Sequence, residues 1–181
     1  ENFLCAEFGR PLHRGPDREA RYATARQIMG YFNDFLPGLG VTPQTIPTIE
    51  AAYCDLLDAL DDHFLHFPYL LGGRPSLADF GLMAPMFAHL ARDPVPSTLM
   101  KNRAPNVFRW TERMNLARIA DGEFPDCPET YPPDDAIPPT LEPVLRLVFE
   151  DWGAQLLADA RHYNGWIEAN PNLPAGTMVC T

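Results

Sequence analysis

Apolar residues along this chain recur at three- and four-residue steps and nowhere alternate over a useful length, which predicts helices and no sheet. Ala25, Ile28, Met29, Phe32, Phe35 and Leu36 mark the buried face of one helix, stopped by Pro37-Gly38. The pattern is cleaner over residues 47–67, where Ile49, Ala52, Tyr53, Leu56, Leu57, Leu60 and Phe64 make one stripe. Glu50, Asp55, Asp58, Asp61 and Asp62 fall largely off it. A third helix is predicted over residues 77–92; it is apolar nearly all round, so it should be the most buried, and it ends before an Asp93-Pro94-Val95-Pro96 turn. A fourth begins near Pro105, because the N–H that proline lacks has no partner in a first helical turn, and Val107, Trp110, Thr111 and Met114 share a face. Prolines then crowd residues 124–143, which excludes regular helix and implies an extended surface connector. A last helix starts near Thr140, with Leu141, Val144, Leu145, Val148, Trp152 and Leu156 in period. Gly153 weakens it, and Asn164-Gly165 is a candidate break. The expected fold is all-α: a helical bundle over residues 1–122, a Pro-rich connector over 123–139, and a late helix and tail over 140–181 packed on the same domain.

The stretch Leu70-Leu71-Gly72-Gly73-Arg74-Pro75-Ser76-Leu77-Ala78-Asp79-Phe80 is dense in turn chemistry. With Ser76 at the N-cap, its hydroxyl accepts from the Asp79 N–H while the Asp79 carboxylate accepts from the Ser76 N–H, a capping box with Asp in place of the commoner Glu. Gly72-Gly73 lets the incoming backbone turn through conformations closed to other residues, and Pro75 fixes the approach. Pro85, inside the helix so started, cannot donate to the Gly81 carbonyl, so a kink is expected there.

Length and charge narrow the function. A chain of 181 residues suffices for one domain with a substantial core. A formal net charge of −10 repels phosphate backbones, so no nucleic-acid partner is expected. The most apolar run, residues 80–91, is interrupted by Pro85 and His89 and falls short of the roughly 20 residues that span a bilayer, so no membrane partner is expected either. Four cysteines, at 5, 54, 127 and 180, show no Cys-x-x-Cys spacing and fit a reducing cytoplasm. The first residue is Glu1 rather than Met, so the chain is expected not to begin where translation begins.

Candidate chemistry is sparse. Asp62, His63 and His66 have the spacing to approach one ion, yet polar residues near a helix end, where a cation on His66 suits the dipole, are the plainer reading, and no metal site is assigned. His89 and Asp93, four apart, suit a structural hydrogen bond better than an acid–base pair, since no motif places a Ser or Cys beside them. Cys5 and Cys54 would be nucleophiles only beside a cation or a helix N-terminus, and packing is the default for both. No catalytic residue is assigned.

The two-glycine turn, Arg74-Pro75-Ser76-Leu77-Ala78-Asp79-Phe80, the apolar helix after it and the Pro105-to-Trp110 segment together resemble the helical C-terminal domain of the glutathione S-transferase superfamily. The likeness covers roughly residues 17–115, and in that family the Ser/Thr-x-x-Asp box caps the central helix. The resemblance implies a domain that places a small hydrophobic electrophile beside the thiolate of glutathione, in a full-length protein that is a homodimer. It implies that glutathione is bound mainly by a thioredoxin-like domain, of whose frame this chain shows no trace, so the chain alone is not expected to catalyse. Tyr22, Arg26 and Tyr31 of the first predicted helix, off its apolar stripe, are candidates to line a substrate pocket shared with the thioredoxin-like domain and suit a glutathione conjugate, since an Arg fork grips carboxylate and a Tyr ring stacks or donates a hydrogen bond; they read equally as ordinary surface residues. The alternative is a non-catalytic interaction module whose acidic surface faces a basic protein.

Overall fold

A computed structural model describes residues 2–116 and 122–178; Cys180 lies outside them. Seven α-helices follow one another among the described residues: α1 (Asn2–Gly9), α2 (Arg18–Phe35), α3 (Ile46–His66), α4 (Leu77–Pro85), α5 (Pro94–Arg103), α6 (Pro105–Arg113) and α7 (Glu142–Ala169). The fold is all-α, and the nearest thing to sheet among the described residues is an isolated bridge between Tyr69 and Gly72 in the turn before α4.

The main core lies where α3, α4, α6 and the start of α7 meet. Leu57, Leu60 and Phe64 of α3 pack against Val107 and Trp110 of α6, Met86, Met100, and Leu141 and Val144 at the entry to α7. Phe64 and Trp110 stack with ring centroids 5.0 Å apart, so the α3 stripe and the α6 face interlock through the largest side chains available. A smaller cluster of Cys5, Tyr22 and Ala25 joins α1 to α2.

The capping turn is the best-connected polar feature. Asp79 is fully buried and accepts four hydrogen bonds: Oδ2 from the Ser76 N–H (2.8 Å) and the Ser76 hydroxyl (2.7 Å), Oδ1 from the Leu70 N–H (3.0 Å) and the Trp110 indole N–H (3.1 Å). The Asp79 N–H donates back to Ser76 Oγ over a longer 3.4 Å. One carboxylate therefore starts α4, closes the turn before it and ties both to α6. Gly72 has φ +93°, which only glycine adopts freely, whereas Gly73 is required by proximity: a Cβ there would lie 1.8 Å from the Pro128 carbonyl oxygen.

The Pro-rich connector is accordingly no free crossing. The Gly73 N–H donates to the Thr130 carbonyl (3.0 Å) and the Tyr131 hydroxyl to the Pro75 carbonyl (2.9 Å), so residues 127–132 lie along the capping turn. Glu123, at the start of this segment, is gripped by Arg109 and by buried Arg113 of α6.

Several expectations need correction. α4 is not the most buried helix: Leu77 is 90% and Phe80 59% exposed, and Asp79 is its one buried residue. The cap explains this. Asp79 must face the core to reach Leu70 and Trp110, and at about 100° per residue this turns Met83 and Met86 inward and Leu77, Phe80 and Ala84 outward. The predicted single helix over 77–92 ends at Pro85 and passes into a π-helical turn, Met86–Leu90, in which the Ala91 N–H donates to Met86 (2.7 Å). The expected turn at Asp93-Pro94-Val95-Pro96 is instead the start of α5, because both prolines occupy the first turn, where no N–H is needed. Phe32, Phe35 and Leu36 of α2 are exposed rather than buried, since the partner helix α1 is only eight residues long and covers α2 as far as Met29. Asn164-Gly165 does not break α7, which runs on to Ala169. Beyond Gly153 its residues are exposed except half-buried Trp166.

Candidate functional site

A concavity runs between α1, α2 and the end of the π-helical turn. It has a volume of about 630 Å³, with Leu4 and Phe8 on one wall, Met29, Phe32 and Leu36 on the other, and His89 and Asp93 at its polar end. A smaller hollow of about 200 Å³ adjoins it and shares Phe8, His89 and Asp93. Both fall within or near the size of small-molecule clefts, and the larger has their usual make-up, mostly apolar walls with a few polar groups.

Local sequence explains this groove. Leu4 and Phe8 are four apart on α1, and Met29, Phe32 and Leu36 are three and four apart on α2, so each set faces one way. Asp17 caps α2 by accepting from the Ala20 N–H at 3.0 Å. The π-helical turn widens the backbone before α5, and the Asp93 N–H then donates to the His89 carbonyl (2.7 Å). The side chains of His89 and Asp93 thus share the groove without bonding each other, which places them together as the four-residue spacing suggests but not as an acid–base pair. Glu7 binds both Arg10 (3.1 Å) and Arg92, fastening α1 beside the π-helical turn through partly exposed ion pairs. Such pairs position more than they stabilise.

The three residues suggested on α2 do not converge. Tyr22 is buried against α1, with the Arg18 guanidinium 5.0 Å and the Arg26 guanidinium 6.0 Å from its ring. Arg26 is exposed one turn before Met29, in the same helical row as Asn33 of the groove. Tyr31 is 61% exposed on the opposite side of α2, in edge contact with Phe32 and Phe35 at 5.9 Å and 4.9 Å.

Asp62, His63 and His66 form no metal cluster; none of that kind occurs among the described residues. His63 is fully buried, its Nε2–H donating to the Tyr69 carbonyl (3.2 Å) and its Nδ1 accepting from the Thr140 hydroxyl (2.9 Å). Burial pushes its pKa down, against smaller upward pulls from the Tyr69 carbonyl and Asp79. It is a neutral strut between α3 and the entry to α7, while Asp62 and His66 face solvent. Cys5 is buried in the α1–α2 cluster and Cys54 half-buried on α3, both as free thiols. Sequence reasoning missed the groove because it missed α1; the pairs Leu4–Phe8 and Cys5–Gly9, each four apart, were the available signal.

Residues 44–113 match the sequence model of the glutathione S-transferase C-terminal domain. No curated protein and no solved structure gives a match. The matched segment contains α3, the capping turn, α4, α5 and α6, and the match supports a glutathione S-transferase C-terminal-like helical domain over these residues.

Proposed function

We propose, from the premise of a glutathione S-transferase C-terminal-like domain, that this chain binds the small apolar electrophile on which a glutathione-dependent parent protein acts by transfer or reduction. The observation that carries this reading is the groove of about 630 Å³ between α1, α2 and the π-helical turn, apolar along its walls and polar at the His89–Asp93 end. Its walls exclude water from an aromatic body, and the polar end can receive the electron-withdrawing group that makes such a molecule electrophilic. Arg26, in the same helical row as Asn33 of the groove, suits a carboxylate of the conjugated product, and its guanidinium lies 6.0 Å from the Tyr22 ring. Tyr31 takes no part in the groove and belongs to the outward face of α2.

Glutathione itself does not fit this groove. The tripeptide carries two carboxylates, and the carboxylates at the groove's polar end are Asp93 and, in the adjoining hollow, Glu7, with Arg92 already bound to Glu7. Its binding is assigned to a thioredoxin-like partner domain, and full-length protein is read as a cytoplasmic homodimer. No described helix is long and apolar enough to cross a membrane.

The test is an amide NMR titration of this chain with 1,3-dinitrobenzene, an unreactive analogue of an aromatic electrophile, and separately with glutathione. Shifts at Leu4, Met29 and Asn33 with the first and none with the second are expected. A titration in which dinitrobenzene leaves α1 and α2 unmoved removes the proposal. A second reading, a non-catalytic interaction module, draws on the exposure of Leu77 and Phe80 on α4 and predicts that unmoved outcome.

A further inference from the structure

Helix α7 outruns the bundle that holds it. Val144 and Leu145 anchor its start in the main core, yet its 28 residues extend about 42 Å at 1.5 Å each. Beyond the anchor, Phe149, Trp152, Leu156, Leu157, Tyr163 and Ile167 are each 38–61% exposed. At about 100° per residue these six share one side of the helix, turned away from Val144 and Val148, which lie toward α3. The area of the chain is that of a molecule with a face left uncovered. It exposes 12586 Å², whereas a compact chain of 20.3 kDa exposes about 8,800 Å². The excess is several times the roughly 800 Å² that each partner buries in a standard interface.

Charge identifies the occupant. Arg146, Glu150, Arg161 and Glu168 border the apolar side of α7 along one flank, and none of the four has an ion-pair partner among the described residues. Their signs run plus, minus, plus, minus along the helix. A second copy of α7 laid antiparallel presents the same flank with the order reversed, so every charge meets its opposite. Arg146 then faces Glu168 of the second copy and Glu150 faces its Arg161, and two-fold symmetry makes each pair twice. Both pairs are centred close to Leu156, so one register serves both. A nucleic acid or an anionic lipid surface finds no such match on a chain with a formal net charge of −10.

We propose that two copies of this chain associate through α7, antiparallel, with Leu156 and Leu157 at the centre of the contact. Phe149 and Trp152 of one copy lie toward Tyr163 and Ile167 of the other, and the four flank charges fix direction and register. The surface lies outside the matched residues 44–113 and touches no residue of the α1–α2 groove, so it stands whether or not that groove binds an electrophile.

The test is sedimentation equilibrium of the full chain across the micromolar range, with far-UV circular dichroism to check that each variant keeps its helices. The parent should show a reversible monomer–dimer equilibrium. Leu156→Glu, a charge at the exposed centre, should raise the dissociation constant at least about tenfold. Arg146→Glu and Glu168→Arg should each weaken association about three- to tenfold, because each turns two exposed ion pairs into repulsions. The double variant carrying both swaps should return to the affinity of the parent. Residues 146 and 168 lie about 33 Å apart along one helix, so they cannot repair each other within a chain or in a parallel pair. A parent that stays monomeric overturns the proposal and leaves the face to a different partner. Association that Leu156→Glu leaves unchanged, or single swaps that do no harm or that the double swap does not repair, overturns it as well.

Discussion

Removing the Asp79 carboxylate should damage this fold more than any other single change in the capping turn. Asp79→Ala leaves the Leu70 N–H, the Ser76 N–H and the Trp110 indole N–H without their acceptor, and all three belong to buried residues. A buried donor left unpaired costs about 1–3 kcal/mol, and water entering the vacated space offsets part of this, so a loss of about 3–5 kcal/mol is expected. Ser76→Ala removes a hydroxyl whose bond from the Asp79 N–H is already long at 3.4 Å and whose 2.7 Å donation to Asp79 Oδ2 leaves that oxygen the Ser76 N–H, so its cost should be about 1 kcal/mol, the usual value of an N-cap. With a urea dependence of about 2 kcal/mol per molar, the midpoints should fall by about 1.5–2.5 M for Asp79→Ala and about 0.5 M for Ser76→Ala. Equal shifts, or a larger one for Ser76→Ala, would mean that Asp79 acts only as a local cap and that its links to Leu70 and Trp110 carry no stability.

Two further measurements probe the supports of this core. The folded state holds His63 neutral, its pKa below the ordinary 6.5, whereas the unfolded chain protonates it near that value. Its contribution is therefore complete above about pH 6.5 and is lost as pH falls through that value toward the lower folded-state pKa, so the urea midpoint of the parent should drop with acidification more steeply than that of His63→Gln. Identical slopes would show that burial does not govern this histidine. Gly73→Ala puts a methyl group 1.8 Å from the Pro128 carbonyl oxygen, so the connector must lift off the turn. Limited proteolysis should then cut residues 124–133 much faster than in the parent; an unchanged rate would place the connector elsewhere in solution.

How much of this was legible in the sequence depends on the range of the interaction. The α3 stripe, the Pro105 start of α6 and the Ser76–Asp79 spacing are local, set by helical period and by side chains reaching their own backbone, and a single sequence displays them. The same turn also showed its two glycines, but not that Gly72 serves a positive φ while Gly73 makes room for Pro128, a contact across 55 residues of chain. Likewise Asp62-His63-x-x-His66 reads as a cluster only until Thr140 and Tyr69 are known to occupy both ring nitrogens of His63. The α1–α2 groove was hidden for a simpler reason: α1 is short, and its apolar residues gain meaning only against α2.

The exposure of α4 follows from these same long-range bonds. Composition alone places its apolar residues inside, because it counts side chains without fixing the rotation of the helix. Rotation here is decided by a carboxylate that receives donors from two other segments, and a buried Asp with four partners outweighs the transfer of two side chains such as Leu77 and Phe80, worth about 1.5–3 kcal/mol each when fully buried. Turning α4 to bury Phe80 would strand the Leu70 and Trp110 donors and the charge itself, at several kcal/mol for an uncompensated buried carboxylate. The polar network thus fixes both the stability of the bundle and the surface it presents. It follows that Leu77→Ser and Phe80→Ser should leave the fold nearly as stable as the parent, whereas the equally conservative Asp79→Ser should not.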